Sequence, residues 1–349
     1  MGFDESFSPD PAGDVVGCSS DLARYVRRLQ DLVLSCADRG MDGVGVGRLV
    51  ANANDRIIAR AAVMAEAELG PPPCGYSLMV LGSEGRREQL LATDQDNALV
   101  FAGPDEPAAA YFESFGRLFL ATLIEAGVPP CPHGVTVDNP VWRRSAAAWR
   151  DGVSAMTRTV DADAVLHLTQ LADARHVHGE ASLFESLREL VMRQVRDTPV
   201  LLMYMAREAL RFPPPLGFFN ALAVERNGPA KGALDIKKGG VFPLTQGIKT
   251  LALEHGLRET GTLDRLHALR GEGVFSEGMA TGMEDALRLF QDLRLHAQAA
   301  VVRAGMPPDN FVRPDRLSVA EREKLVDCFK FVAEFQSFLH AKYGLHLIS

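Results

Sequence analysis

The sequence lacks the features that mark secreted and membrane-spanning proteins. Its five cysteines are scattered and odd in number, with no Cys-x-x-Cys pair, which indicates reduced thiols rather than a disulfide framework. No apolar run approaches the ~18 residues that a membrane span requires. The acidic N-terminus has no apolar core of the kind that a secretory signal carries. These absences predict a cytoplasmic protein with no membrane partner.

A surplus of positive charge is also missing. The chain carries 37 Lys and Arg against 45 Asp and Glu, a net charge of −8. Proteins that hold nucleic acid usually show a basic surplus or a basic stripe, so a nucleic-acid partner is not expected. The sequence contains no Gly-x-Ser-x-Gly elbow, Walker-type loop or Rossmann fingerprint. The charge balance suits an enzyme that meets an anionic nucleotide only at a metal-neutralised site.

Apolar residues are plentiful. They make up 47% of the 349 residues, against 23% charged, so the composition is that of a globular protein with two or three units of roughly 100–200 residues each. The predicted fold class is α+β, with a small mixed β-sheet core between an N-terminal helical unit and a C-terminal helical bundle. The predicted segments are a disordered lead-in (1–17), the N-terminal helical unit (18–72), the core (73–180) and the C-terminal helical domain (181–349).

Short apolar runs predict the strands of the core. Residues 76–81 have the length and flanks of a buried strand, and they end at Gly82. A second strand is predicted over 96–101. Two further runs, 135–137 and 171–177, are weaker candidates for strands. Together these runs predict a small sheet in the middle of the chain.

Helices are predicted on both sides of this core. Two helical stretches precede it, separated by a glycine-rich break over 40–47, and the second runs from about Val50 to the three prolines that begin at Pro71. Beyond about residue 181 the periodicity is almost entirely helical. The last helix is predicted to begin at a capping box formed by Ser318 and Glu321.

One segment combines a glycine-serine turn with two aspartates. Gly82 and Ser83 follow the first predicted strand, and after ten intervening residues Asp94 and Asp96 open the next strand. A glycine lets the backbone approach a phosphate closely, and amides at a helix N-terminus favour an anion. Aspartates two apart on an extended segment point to the same side, which suits Mg²⁺ and its preference for carboxylate oxygens.

Arg86 lies in the same segment, where it is placed either to reach triphosphate oxygens or to pair with Glu88. A Gly-Ser or an Asp-x-Asp alone is more often a turn or a solvated loop. The combination of a strand, Gly-Ser, ten residues and Asp-x-Asp in one frame is far rarer and favours a catalytic role. We therefore expect Asp96→Ala to abolish turnover while leaving the fold intact.

This combination resembles the hallmark of the polymerase-β-type nucleotidyltransferase superfamily. The string Gly-Ser-Glu-Gly-Arg-x-Glu-Gln-x-Leu-x-Thr-Asp-Gln-Asp-Asn is similar to one branch, whose members are often fused behind cyclic-nucleotide-binding and CBS modules. That branch is related to the uridylyl- and adenylyltransferases that modify the PII protein and glutamine synthetase. The resemblance covers residues 22–344. It implies transfer of a nucleoside monophosphate from a nucleoside triphosphate (NTP) to an acceptor hydroxyl, with Mg²⁺ or Mn²⁺ as cofactor and a protein acceptor or signalling partner.

The resemblance also implies roles for three residues further along the chain. Asp173, followed by Arg175 and a glycine, matches the third carboxylate of the superfamily, which would ligate metal with Asp94 and Asp96 or help to deprotonate the acceptor. The residues before it are less bulky than in the family, and the alternative is an aspartate at a strand end paired with Arg175. Lys237 and Lys238 match the helical substrate-binding domain, where they would face phosphates or form a solvated pair at a turn.

Other interpretations stay open. Asp138 is a rival third carboxylate, although its place before Asn-Pro is typical of a turn. Cys131 with His133, and His176 with His178, have no second pair at zinc-type spacing, which favours surface or packing roles. The protein could also bind a nucleotide in signalling without catalysis, or modify a small molecule such as an aminoglycoside. The sequence specifies neither the base of the nucleotide nor the acceptor.

Overall fold

A four-stranded mixed sheet lies at the centre of the computed structural model, which describes residues 19–103 and 105–347. In the order β3-β2-β1-β4, its strands are β1 (Tyr76–Val80), β2 (Asn97–Phe101), β3 (Arg143–Ser145) and β4 (Arg175–Gly179). Strand β1 pairs antiparallel with both β2 and β4, whereas β2 and β3 are parallel. The predicted α+β class is confirmed. The predicted lead-in lies outside the described residues.

Twelve α-helices surround this sheet within the described ranges. They are α1 (Ser19–Asp38), α2 (Gly43–Leu69), α3 (Gly82–Gly85), α4 (Asp105–Glu125), α5 (Ala146–Arg158), α6 (Ala162–Leu171), α7 (Ala181–Arg196), α8 (Pro199–Glu208), α9 (Phe242–Glu254), α10 (Thr262–Gly271), α11 (Glu277–Arg303) and α12 (Val319–Lys342). A second, two-stranded sheet pairs β5 (Leu234–Asp235) with β6 (Phe311–Val312). No helix among the described residues combines the length and apolar character that a membrane crossing needs.

Both faces of the central sheet are buried, which accounts for the uninterrupted apolar run of β1. Leu78 and Val80 point to one face, where α2 and α4 pack on them. Met79 points to the opposite face, where it shares a core with residues of α5, α6, α7 and α8. A strand covered on both sides needs no alternation of apolar and polar residues. Strands β1 and β2 are therefore buried along their whole length, and the motif segment joins their ends.

The helices on the two sides of the sheet pack against different apolar cores. Helices α9, α10, α11 and α12 enclose an apolar core of their own, which includes Leu266, Phe290 and Phe335. Helix α2 packs on the sheet and also contacts α11. Helices α7 and α8 lie within the predicted C-terminal domain, but they share the core beneath the sheet. The motif segment between β1 and β2 thus lies where the sheet meets the C-terminal helices.

A capping side chain fixes the start of both α12 and α2, and only the start of α12 agrees with the prediction. Ser318 and Glu321 form the predicted capping box at the start of α12. Helix α2 begins at Gly43 rather than near Val50, because the Asp42 side chain accepts a hydrogen bond from Gly45 N at 2.9 Å. Gly43 and Gly45 of the predicted break therefore lie in the first turn of the helix.

The two weaker strand predictions differ from the structure. Residues 135–137 form a turn, so that prediction was wrong, and their peptide groups bond to Asn97 instead: Val135 O accepts from its backbone N, and Val137 N donates to its Oδ1. The strand predicted over 171–177 begins only at Arg175, because Leu171 ends α6 and a turn follows. Short apolar runs do not distinguish a strand from the end of a helix.

Candidate active site

The Gly82 turn and Asp96 meet at the ends of two paired strands. Leu81 N donates to Asp96 O at 2.8 Å, which extends the β1–β2 pairing up to the turn. Gly82 then adopts a φ of +53° and begins the single turn of α3. A Cβ at Gly82 would lie 2.6 Å from Asp96 Oδ2, so only glycine permits this approach. The Gly82 turn, the first part of the predicted motif, therefore packs closely against Asp96, its second part.

Asp94 and Asp96, called the carboxylate pair from here on, form a cluster with Cys131. One ligand atom from each of the three lies within 4.8 Å of the others, and both aspartates are half-buried. Burial and the charge of Asp94 raise the pKa of Asp96 to about 6, against the opposing effects of the Cys131 thiol, Lys237 and Arg86. Two carboxylates that repel each other in this way are stabilised by a divalent cation.

The donor atoms of this cluster suit Mg²⁺ or Mn²⁺. Carboxylate oxygens are the ligands that hard divalent cations prefer. Burial and the hydrogen bond to Asp96 raise the pKa of Cys131 to about 11, so the sulfur beside the aspartates is a neutral thiol. A neutral thiol is a weak ligand for a hard cation, since the thiolate is the ligand form. The residues that fit a divalent cation are thus Asp94 and Asp96, with Cys131 packed against them.

The loop that carries the carboxylate pair is held by amide groups. Gln298 of α11 accepts through Oε1 from Leu91 N at 3.0 Å and from Ala92 N at 3.1 Å. Gln89 Nε2 donates to Asp94 O at 3.0 Å. Among the described residues, neither aspartate of the pair has a Lys, Arg or His nitrogen within 4 Å. Their position is therefore fixed without neutralising their charge.

Asp173 lies elsewhere, in the turn between α6 and β4. Its Oδ2 is 2.5 Å from both Arg86 Nη1 and Lys249 Nζ, and its Oδ1 is 2.7 Å from Arg265 Nη1. These four residues are called the Asp173 cluster below. Burial favours the neutral acid, but the three cations hold the pKa of Asp173 at about 2. Asp173 is not among the residues whose ligand atoms cluster at the carboxylate pair, and its role as a metal ligand stays a prediction.

Two arginines of the motif region are committed to carboxylates. Arg86 Nε donates to Glu88 Oε2 at 2.8 Å, which is one of its two predicted roles, while its Nη1 holds Asp173. Arg175 pairs with both oxygens of Asp55, at 2.6 and 2.8 Å, and not with Asp173 as the alternative interpretation had it. A triphosphate contact of Arg86 stays a prediction.

The two predicted lysines have different surroundings. Lys238 lies 3.6 Å from Asp235 Oδ2, and its backbone N donates to Oδ1 of that residue at 3.0 Å, which is the solvated pair at a turn. Lys237 forms no ion pair among the described residues. It is exposed overall, but its ammonium interacts with the charges of the carboxylate pair. Partial burial and the charge of Arg294 lower the pKa of Lys237.

The remaining candidates lie outside the cluster. Asp138 Oδ1 accepts from Thr136 Oγ1 at 2.5 Å, in a turn as its sequence context indicates. His178 Nε2 lies 3.5 Å from Glu66, and the ring of His176 contacts Gly179 O. Across residues 19–103 and 105–347, only the cluster of the carboxylate pair and Cys131 gathers three His, Cys, Asp or Glu ligands closely enough for a metal.

Sequence reasoning did not find the buried basic residues of the C-terminal helices. Lys249, Arg265 and Arg294 are each at most 4% exposed. Lys249 sits next to Ile248 in the most apolar stretch of α9, and all three occupy positions where the helix faces a core. A charged residue on the apolar side of a helix needs a partner or a ligand. That pattern is the signal that would have revealed them.

Two family models match this chain. The model described as "Putative nucleotidyltransferase DUF294" matches residues 27–163, and the model described as "Putative nucleotidyltransferase substrate binding domain" matches residues 199–343. The first region contains the carboxylate pair and Cys131, and the second contains the three buried basic residues of α9, α10 and α11.

Among curated proteins, the chain is similar to two enzymes named bifunctional glutamine synthetase adenylyltransferase/adenylyl-removing enzyme, from Burkholderia pseudomallei and Burkholderia mallei. Each is 25% identical over 244 residues. The match covers 64% of this chain but only 24% of the relative, so the chain spans about a quarter of the length of these relatives.

Proposed function

Since this chain belongs to the nucleotidyltransferase superfamily, we propose that it transfers a nucleoside monophosphate from an NTP to an acceptor hydroxyl and releases pyrophosphate. The carboxylate pair supports this proposal most strongly. The pair lies beside the Gly82 turn, and its two carboxylates repel each other. Among the described residues, no Lys, Arg or His nitrogen contacts either of them. Such a pair is suited to a divalent cation that also binds phosphate oxygens.

Each residue of the site has a proposed role. Asp94 and Asp96 hold Mg²⁺ or Mn²⁺, and such ions, when bound, stabilise the attacking and leaving oxygens of the reacting phosphate. Gly82 and Ser83 border the triphosphate, with Lys237 contributing positive charge from the helical domain. Asp173 positions Arg86 rather than binding metal, because its oxygens are already held by three cations. Catalysis of this kind rests on positioning and electrostatics.

We propose a protein as the acceptor. The two Burkholderia relatives act, by their names, on glutamine synthetase, which is a protein. The base of the NTP is left to experiment, because the described residues contain no site that we can assign to base recognition.

Thermal unfolding with a nucleotide panel tests the proposal. The wild type is heated with ATP, GTP, CTP or UTP, with and without Mg²⁺ or Mn²⁺. A ligand at about 100 times its Kd adds about 2.7 kcal/mol, which raises the Tm by several degrees in a chain of this size. We expect at least one NTP to give a metal-dependent shift that Asp96→Asn loses. Asp138→Asn is the matched control and keeps the shift, since Asp138 lies outside the cluster.

The opposite results are equally clear. No shift with any NTP in the wild type, or an equal shift in Asp96→Asn, would contradict the proposed site. If a metal-dependent NTP shift is observed, pyrophosphate release is measured with candidate protein acceptors. A metal-dependent NTP shift without any release would favour the alternative of a nucleotide-sensing protein. That alternative is supported by one observation, the engagement of Asp173 by the protein's own cations.

A further inference from the structure

We infer that Arg294 and Lys237 form a polyphosphate subsite opposite the carboxylate pair, with Arg294 as the residue that favours a triphosphate over a monophosphate. The inference rests on the proposed function, because it names the part of the C-terminal helical domain that holds the phosphate tail of the NTP. It assigns a ligand to a buried arginine that has none in the fold.

Arg294 is buried without a carboxylate partner. It lies in α11 and is 4% exposed. Its Nε donates to Asn310 Oδ1 at 3.1 Å and its Nη1 to Gln291 Oε1 at 2.7 Å, and both of these acceptors are neutral amides. Among the described residues, no Asp or Glu oxygen lies within 4 Å of the guanidinium, and Nη2 has no hydrogen bond. A buried charge is costly unless it is paired, so a bound anion would supply the partner that Arg294 lacks among the described residues.

Hydrogen bonds through Asn310 and Gln298 link Arg294 to the loop of the carboxylate pair. Asn310 Oδ1, which accepts from Arg294, also accepts from Gln298 Nε2 at 3.3 Å. Gln298 in turn binds the backbone N of Leu91 and of Ala92, a few residues before Asp94. The guanidinium therefore belongs to the same network that fixes the proposed metal site.

The charges around Arg294 leave a positive surplus. Arg294, Lys237 and Arg86 interact with one another, and burial together with Arg86 lowers the pKa of Arg294 to about 10, against Glu88 and Asp235. That pKa keeps the guanidinium charged at neutral pH. Arg86 is already paired with Glu88 and Asp173, and Asp235 with Lys238. Neither Arg294 nor Lys237 has a carboxylate within 4 Å among the described residues, and a cation at the carboxylate pair would neutralise the negative charges with which Lys237 interacts.

A triphosphate matches these two cations better than a single phosphate does. The planar guanidinium binds two phosphate oxygens at once, and the ammonium of Lys237 supplies a movable point charge. The metal at the carboxylate pair would hold the reacting end of the tail, so the two cations would meet the oxygens beyond it. A nucleoside monophosphate lacks those oxygens and would gain little from either residue.

Isothermal titration calorimetry with inorganic tripolyphosphate at a fixed excess of Mg²⁺ tests the inference. The same titrations use the best-binding NTP and its monophosphate. Arg294→Gln and Lys237→Gln should each weaken tripolyphosphate and NTP binding by about tenfold or more, since each removes a charge-assisted contact. Monophosphate affinity should change little. Arg288→Gln is the matched control, because Arg288 lies on the same helix, is 43% exposed and pairs with Glu284.

The outcomes separate the inference from the function beneath it. If the wild type binds neither tripolyphosphate nor any NTP, both the subsite and the proposed function are contradicted. If it binds them and the two glutamine variants bind equally well, only the subsite is overturned. An equal loss of NTP and monophosphate affinity would mean that Arg294 merely braces α11, and would also overturn it. Should Arg294→Gln fail to fold, Arg294→Lys and the exposed Lys237→Gln give the same comparison, with a smaller loss expected for lysine.

Discussion

Asp96 and Asp173 both lie just before a strand of the same sheet, yet their electrostatic surroundings are opposite. Asp173 is held by three cations and has a pKa of about 2. Asp96 faces a second aspartate and a neutral thiol and has a pKa of about 6. A carboxylate that the protein neutralises itself serves cohesion, whereas one left without a cation is available to a metal. The difference separates two residues that the sequence motif treats alike.

The contacts differ in reach as well as in charge. The Asp173 cluster joins the motif turn, through Arg86, to α9 and α10, through Lys249 and Arg265. The loop of the carboxylate pair contacts α11 through uncharged groups, the amide of Gln298 and the apolar residues Leu295 and Ala299. Removing charge from one site or from the other should therefore have opposite consequences for stability.

The largest effect is expected from Asp173→Asn. The substitution leaves Lys249 and Arg265 buried with no carboxylate in contact among the described residues, and it leaves Arg86 with Glu88 alone. Breaking a buried ion pair costs about 3–5 kcal/mol. Urea denaturation should show this loss in the free energy of unfolding. Asp264→Asn, on α10 and half-exposed beside Arg48, is the control and should cost less than about 1 kcal/mol. A variant of Asp173 as stable as the wild type would refute the account of the cluster.

A smaller effect of opposite sign is expected from Asp96→Asn in the absence of metal. The folded pKa of Asp96, about 6, lies above its ordinary value of 3.8. The stability that comes with the protonated form is complete below pH ~4 and is lost as pH rises through 6. The asparagine variant avoids that loss and should be more stable than the wild type above pH 6, by up to roughly 2 kcal/mol.

Denaturation of both proteins at pH 4 and pH 7, in the presence of a chelator, measures this difference. A variant that is destabilised at pH 7 without metal would show that Asp96 is a structural residue like Asp173, and the contrast between the two would disappear.

The last effect concerns Glu84, a buried carboxylate in the Gly82 turn. It is buried, Asn54 Nδ2 donates to its Oε2 at 3.0 Å, and its Oε1 has no hydrogen-bond partner. Burial raises its pKa to about 8, against the effects of Asn54 and Arg175. The stability contributed by the protonated form is complete below pH ~4.5 and is lost as pH rises through 8.

Glu84→Gln should not show this loss. The difference in unfolding free energy between the variant and the wild type should therefore grow by roughly 1 kcal/mol per pH unit up to about pH 8 and then level off. Urea denaturation at pH 6, 7, 8 and 9 measures it. A difference that does not depend on pH would mean that Glu84 is ionised throughout and that Arg175 neutralises it.

The parts of the site that could be predicted from sequence are those made by contacts close along the chain. Gly82, Asp94 and Asp96 belong to one strand-turn-strand unit, so their spacing alone brings them together. Asp173 could not be placed in the same way, because its surroundings come from Lys249 and Arg265, which are distant in sequence. A family resemblance identifies Asp173 by its position in the motif, but it does not identify the cations that surround Asp173 in the fold.

The fold shows the same division between local and distant causes. The capping box of α12 depends on two side chains three residues apart, and it was predicted correctly. The early start of α2 was not, because glycines are poor helix formers and the cap of Asp42 outweighs them only once the helix packs between α4 and α11. Cys131 reached the carboxylate pair through a loop that no periodic pattern describes.

The Asp173 cluster limits how this protein can be divided or recombined. Asp173 lies between the two regions matched by separate family models, and its cations come from both of them. We expect an exchange of the helical domain between relatives to preserve stability only if the incoming domain carries residues equivalent to Lys249 and Arg265. The two matched regions therefore meet in one charge cluster, to which the first contributes Arg86 and the second contributes Lys249 and Arg265.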